Sequence, residues 1–139
     1  MKKRIIILML FLIASTNFSI IQKQLPAPSD DFVSLLNKRR SIRNYSNNPL
    51  SLKELAYVLY CADARTPKGN RTAPSAGAKY PIDLYVFVNN VTGLKNGIYY
   101  YNARYHYITI KKEGNFSHQL SRACYSQKWV SSSAVNIVM

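Results

Sequence analysis

Two periods of apolar positions run through this chain, behind an opening block that has neither. Ile5 to Ile13 is an unbroken apolar run that follows Lys2, Lys3 and Arg4, and Ser15, Thr16, Asn17 and Ser19 come soon after it. A helix that spans a bilayer needs roughly 20 predominantly apolar residues, so this run is too short. A basic start, a short apolar core and a polar exit form the layout of a secretory signal peptide, which the pattern assigns to residues 1–21. Cleaved or retained as an anchor, it predicts an exported, extracytoplasmic body that touches the membrane only through this segment. Residues 22–30, with Gln24-Leu25-Pro26-Ala27-Pro28, read as an extended lead.

The body, residues 31–139, alternates between helical and strand periods. Ser29 and Asp30 offer a helix N-cap, and Phe32, Leu35 and Leu36 fall on one face of the helix that follows. That helix ends in Lys38-Arg39-Arg40. Asn47-Asn48-Pro49 is a turn signal. Ser51 with Glu54 is a capping box, and Leu50 and Leu55 sit where a hydrophobic staple needs them. Leu52, Leu55, Val58, Leu59 and Ala62 then supply the apolar stripe of a second helix. Thr66 to Tyr80 is aperiodic and holds prolines and glycines, a loop long enough to be functional or disordered, with room for a short helical turn.

Strand signals follow at Asp83 to Val88, then a turn at Gly93 to Gly97. Ile98 to Tyr101 and Tyr105 to Ile110 flank Asn102-Ala103-Arg104 as a hairpin, with tyrosines on both of its faces. Phe116, Leu120, Ala123 and Cys124 suggest a third helix, and Ala134 to Met139 a further strand. The order predicts an α+β unit.

Charge narrows the partners. The 139 residues carry a formal net charge of +13, to which Lys2, Lys3 and Arg4 contribute. Such a body suits anions: a phosphate-bearing cofactor, an acidic envelope surface or nucleic acid. Export and the lack of any nucleic-acid-binding signature argue against the last. No Cys/His cluster has metal-ligand spacing, so no metal site is expected. Cys61 and Cys124 each fall on the apolar face of a predicted helix, the usual setting of a buried thiol. Export would also permit a disulfide, and the sequence leaves that open.

Two motifs carry the chemistry. Arg39 to Tyr45 (R-R-S-I-R-N-Y) packs three guanidiniums and a hydroxyl into a few residues. A phosphate monoester calls for such planar forks and hydroxyl donors, although a solvated basic helix end would look the same. Arg71 to Pro81 (R-T-A-P-S-A-G-A-K-Y-P) runs from the loop into the first strand. Its small residues allow a flat ligand to approach the backbone closely.

In this order and at this separation the two motifs resemble those of the nitroreductase superfamily. The likeness to its SagB-type branch extends through Leu50–Ala64, Tyr80–Val88, Gly97–Tyr101 and Gln127–Val138. The resemblance implies a nitroreductase-like α+β fold, a mainly antiparallel sheet flanked by helices. It also implies bound FMN, homodimers with the flavin at the interface, and small-molecule electron donors and acceptors. Carried onto this chain, Arg39 and Ser41 would contact the FMN phosphate and ribityl chain, with Arg40 alongside. Arg43 would approach the N1/O2 edge of the ring, and Pro74, Ser75, Ala76 and Gly77 would pack against the isoalloxazine. No catalytic acid or base carries over, and Lys79 and Tyr80 read as strand entry.

Family members continue for a further half-domain beyond the strand that starts at Ala134. The flavin's N5 cover, further phosphate contacts and part of the dimer interface come from that half. Residues 1–139 alone are therefore expected to be colourless and poorly folded, as a truncated remnant or half of a split protein would be. The leading expectation for the full-length protein is ping-pong hydride exchange through FMN. Azoline-to-azole oxidation in peptide maturation is the lesser one.

Overall fold

The reciprocal hydrogen bonds expected of a capping box open the longest helix among the described residues. Ser51 Oγ accepts from the Glu54 N–H at 3.2 Å, and Glu54 Oε2 accepts from the Ser51 N–H at 2.8 Å. The helix they start, Leu52–Asp63, is the second in a computed structural model that describes residues 30–139. The segment predicted as a signal peptide and nearly all of the predicted lead lie outside the described residues. The chain divides into a first unit ending at Arg40 and a second, Ser41–Met139.

In the first unit, helix α1 (Asp31–Lys38) begins where the Asp30 carboxylate accepts from the Val33 N–H at 2.8 Å. Asp30 is thus the N-cap of the two candidates. Arg39 ends the helix, its N–H donating to the Leu36 carbonyl at 3.2 Å. Phe32, Leu35 and Leu36 share a face as predicted, and all three are exposed.

The second unit contains α2 (Leu52–Asp63), β1 (Leu84–Val88), β2 (Gly97–Asn102), β3 (Tyr107–Glu113), α3 (Ser117–Ala123), α4 (Lys128–Ser132) and β4 (Val135–Val138). The strands form one sheet in the order β3-β2-β1-β4, with every neighbouring pair antiparallel. On its inner face Leu84 stands opposite Tyr101, Val86 opposite Tyr99 and Val88 opposite Gly97. Leu84, Val86, Val88, Tyr99 and Tyr101, with Leu55, Leu59, Ala64 and Val91, make the core. At Gly97 a β-carbon would come within 2.6 Å of the Lys112 carbonyl oxygen, so only glycine lets β3 approach there. On the outer face Tyr85 and Tyr100 meet edge to face at 5.7 Å, so the hairpin does carry aromatics on both sides.

Several expectations need correction. Of the stripe on α2 only Leu55 and Leu59 are buried, while Leu52, Val58 and Ala62 are exposed. The core covers a single i, i+4 line of that helix rather than the full width of the pattern. Cys61 is exposed, because two residues beyond Leu59 lies roughly 200° around the helix. Cys124 is half-buried, and both thiols are free.

In α3 the buried positions are Ser117 and Ser121, not the apolar residues that suggested the helix. The Ser121 hydroxyl donates to the Gln127 carbonyl at 2.8 Å, so burial there serves a hydrogen bond. Helix α4 has no counterpart in the apolar pattern. Finally, β3 begins two residues later than predicted and runs on to Glu113. Asn102 causes the late start: its side-chain oxygen accepts from the N–H groups of Arg104 and Tyr105, which keeps both in the turn.

Candidate functional site

The loop after α2 is built rather than slack. Thr72 closes the helix end: its hydroxyl accepts from the Ala64 N–H at 2.8 Å and donates to the Tyr60 carbonyl at 2.9 Å. Its own N–H reaches the Ala64 carbonyl at 2.8 Å. Arg65 pairs with Arg71 across an antiparallel bridge, and Thr66 and Asn70 close the tip around Gly69, whose φ is +88°.

Beneath the loop lies an ion pair that sequence reasoning missed. Arg71 Nε donates to Asp63 Oδ1 at 2.7 Å, and Nη2 donates to Oδ2. The Arg71 guanidinium also lies over the Tyr80 ring, 4.8 Å from its centroid. Hydrogen bonding to Asp63 raises the Arg71 pKa above its ordinary value. One arginine thereby joins the end of α2 to both ends of the second motif. Arg71 heads that motif in the sequence, but nothing there names Asp63 as its partner.

The motif itself forms a tight turn. Ser75 Oγ accepts from the Tyr80 N–H at 2.9 Å, spanning the short 3₁₀ turn Ala76–Ala78. Gly77, Ala78 and Tyr80 all lie in the left-handed region, at φ of 61°, 51° and 43°. Glycine adopts that region freely, whereas alanine and tyrosine are strained by roughly 1–2 kcal/mol each. The ion pair, the ring stack and the Ser75 bond hold the strained pair in place. Pro74, Ala76 and Gly77 are exposed, while Pro74, Ser75 and Tyr80 border a cavity of about 210 Å³ that Ile82 and Met139 also line.

The first motif is split by the division of the chain. Arg39 and Arg40 close the first unit, and Ser41 and Arg43 belong to the second. All four are exposed. Arg40 Nη1 donates to the carbonyls of Arg39 and Asn37. Arg43 lies over the indole of Trp129, 5.2 Å from the ring centroid. The ion pairs among the described residues are Asp63–Arg71 and Lys95–Glu113, so no carboxylate there engages the first motif. Nor does any hydrogen bond or ion pair among them join Arg43 to the Pro74–Gly77 turn.

The residues suit the cofactor that the resemblance implies. Guanidiniums and a serine hydroxyl without carboxylate partners among the described residues are the donor chemistry a phosphate requires. A turn with a bare backbone at Gly77 and only a methyl at Ala76 leaves room for a flat ring. Its nearest obstacle is slight: a β-carbon at Gly77 would meet nothing closer than the Lys79 side chain at 3.9 Å.

Known proteins resemble the chain in both sequence and fold. The Nitroreductase family model matches residues 36–139. Putative nitroreductase MJ1384 of Methanocaldococcus jannaschii is 36% identical over 106 residues, which cover 76% of this chain and 54% of that protein. Trifolitoxin-processing protein TfxB of Rhizobium leguminosarum bv. trifolii is 36% identical over 69 residues, or 42% of this chain and 18% of that one. A solved structure, a putative nitroreductase from Anabaena variabilis, superposes with a TM-score of 0.59 at 25% identity, covering 77% of this chain and 23% of its own. The chain therefore spans about half the length of the Methanocaldococcus relative and less of the other two.

Proposed function

The chain belongs to the nitroreductase family, and from that premise we propose that it forms the FMN-binding part of an oxidoreductase of the SagB-type branch. FMN, when bound, supplies the hydride chemistry, a ping-pong exchange between a reduced donor and a conjugated acceptor. The chain's own residues bind and orient it. Arg39 and Ser41 hold the phosphate and ribityl chain with Arg40 beside them. Arg43 brings positive charge to the N1/O2 edge, and Pro74, Ser75, Ala76 and Gly77 supply the surface on which the ring lies. We take the flavin to sit at a homodimer interface, and the N-terminal segment to direct export.

The observation that carries this reading is the state of the basic motif inside the family match. Its guanidiniums are exposed and engage no carboxylate among the described residues. A solvated helix end would leave them equally unpaired, and it is their place within residues 36–139 of the family match that favours a ligand. The similarity to TfxB, a protein named for trifolitoxin processing, favours a second reading in which the hydride donor is an azoline ring of a peptide, oxidised to an azole as the flavin is reduced.

Flavin titration tests the proposal. In a chain extended to the family length, Arg39→Ala removes charge-assisted hydrogen bonds worth roughly 1.5–3 kcal/mol each. FMN should bind about ten- to a hundredfold more weakly as a result. Unchanged affinity would remove Arg39 from the site, and failure of the unsubstituted protein to bind FMN would overturn the reading.

A further inference from the structure

Arg43 lies in a stretch, residues 39–49, that has neither helix nor strand, and its side chain is exposed. A free arginine there would sample many rotamers, and an anionic ligand would have to order it on binding. Among the described residues its ring contact is with Trp129, the only tryptophan of the protein, at 5.2 Å. Trp129 is itself held firmly. The indole N–H donates to Gln127 Oε1 at 3.1 Å, and the buried Ser121 hydroxyl donates to the Gln127 carbonyl at 2.8 Å. The next residue, Val130, is bound through its carbonyl to the Asn136 amide of β4 at 3.0 Å. The ring is therefore anchored to α3 and to the sheet, while the arginine above it has no such framework among the described residues.

We propose that Trp129 is the positioning residue for Arg43, a platform that fixes the direction of the guanidinium and leaves its N–H edges free for an anionic ligand. A cation resting on an indole face keeps all of its hydrogen-bond donors in the guanidinium plane. The stack therefore orders the cation without consuming its binding capacity. The role assigned to the ordered cation, charge at the flavin edge, rests on the function proposed above. The stack itself does not.

A single tryptophan allows a direct test on the chain without any flavin. A positive charge about 5 Å from the indole concentrates iodide near the ring and repels caesium. Screened by salt, one such charge should change collisional quenching by about two- to threefold. Arg43→Gln should lower the iodide quenching constant of Trp129 by that factor and raise the caesium constant, while Arg43→Lys retains most of the wild-type behaviour. Arg104→Gln removes the same net charge from over a different ring, that of Tyr105, and should leave both constants near wild type, so the comparison with Arg43→Gln isolates the local contact. Equal constants in wild type and Arg43→Gln would overturn the inference.

A second measurement reads the positioning role in a chain extended to the family length. Losing an exposed cation–π contact should weaken FMN binding by about three- to fivefold in Trp129→Leu. Trp129→Phe, which keeps an aromatic face, should restore most of it. Arg43→Gln combined with Trp129→Leu should be no weaker than Arg43→Gln alone. Independent, additive losses would show that Trp129 does not act through Arg43. If the unsubstituted protein binds no FMN, the proposed function fails, and the quenching comparison still decides whether the platform exists.

Discussion

Replacing Arg71 by methionine keeps most of the side-chain volume and removes the charge that faces Asp63. The cost follows from what is left behind. The Asp63 side chain is 12% exposed and that of Arg71 19%, so the carboxylate would lose both charge-assisted bonds with little water to replace them. Removing one partner of a fully buried pair costs about 3–5 kcal/mol. Residual solvent access lowers that to about 2–3 kcal/mol here, with the lost stack on Tyr80 included at about 0.5–1.

The assay is urea unfolding, followed by far-UV circular dichroism, of the chain extended to the family length. With a slope of about 1–1.5 kcal/mol/M, the midpoint should fall by about 2 M at an unchanged slope. Asp63→Asn should be destabilised less, because a neutral amide is cheaper to bury. The double variant should be better than the sum of the singles by at least about 1 kcal/mol. A midpoint for Arg71→Met within about 0.3 M of wild type would refute the idea that this pair holds the loop. So would strict additivity in the double variant.

Three further outcomes are expected. The Tyr101 hydroxyl lies 2.7 Å from His106 Nδ1, and burial, with the Asp63 charge next in importance, pushes its pKa up to about 12. An unfolded tyrosine ionises near pH ~10, so the unfolded chain loses this proton first. Stability from this group is whole below about pH 10 and is lost as pH rises to about 12, and Tyr101→Phe should flatten that part of the denaturation profile. Gly97→Ala should destabilise by about 1–3 kcal/mol in the same urea assay, because the new methyl meets the Lys112 backbone. Ser51→Ala should cost about 1 kcal/mol by opening the capping box, and Ser51→Gly only a few tenths; equal losses would point to a different role for the hydroxyl.

The features legible in the sequence were those with a local cause. Ser51 and Glu54 are three residues apart and meet in one helical turn, so their motif could be read directly. Runs of β-branched and aromatic residues marked β1 and β2, the order of elements pointed to an α+β unit, and the antiparallel sheet was an expectation from the family resemblance. The features that stayed hidden depend on through-space partners. Asp63 and Arg71 are two charged residues among many until the loop folds them together. Buried Ser121 looks like an ordinary polar residue, because its acceptor is a backbone carbonyl that sequence does not display. Helix α4 is too short to show a helical period. The site shows the same division: the residue types of both motifs were visible, whereas the Trp129 contact to Arg43 is a tertiary fact.

Strand β4 also bears on how the chain assembles. It lies beside β1, with Val86 opposite Ile137, yet β2, β3, α3 and α4 intervene in the chain between the two. The contacts of the β2–β3 hairpin and of the loop after α2 are local, and closing them confines few residues. Joining β4 to β1 encloses a far longer loop, whose entropy must be lost before any pairing rewards it. The centre of the sheet is thus the place where early and late steps of folding meet. Trp129 sits just before β4 and is tied to it through Val130 and Asn136, so its emission should settle only in that last step. In a stopped-flow refolding experiment, fluorescence would then lag behind the backbone signal.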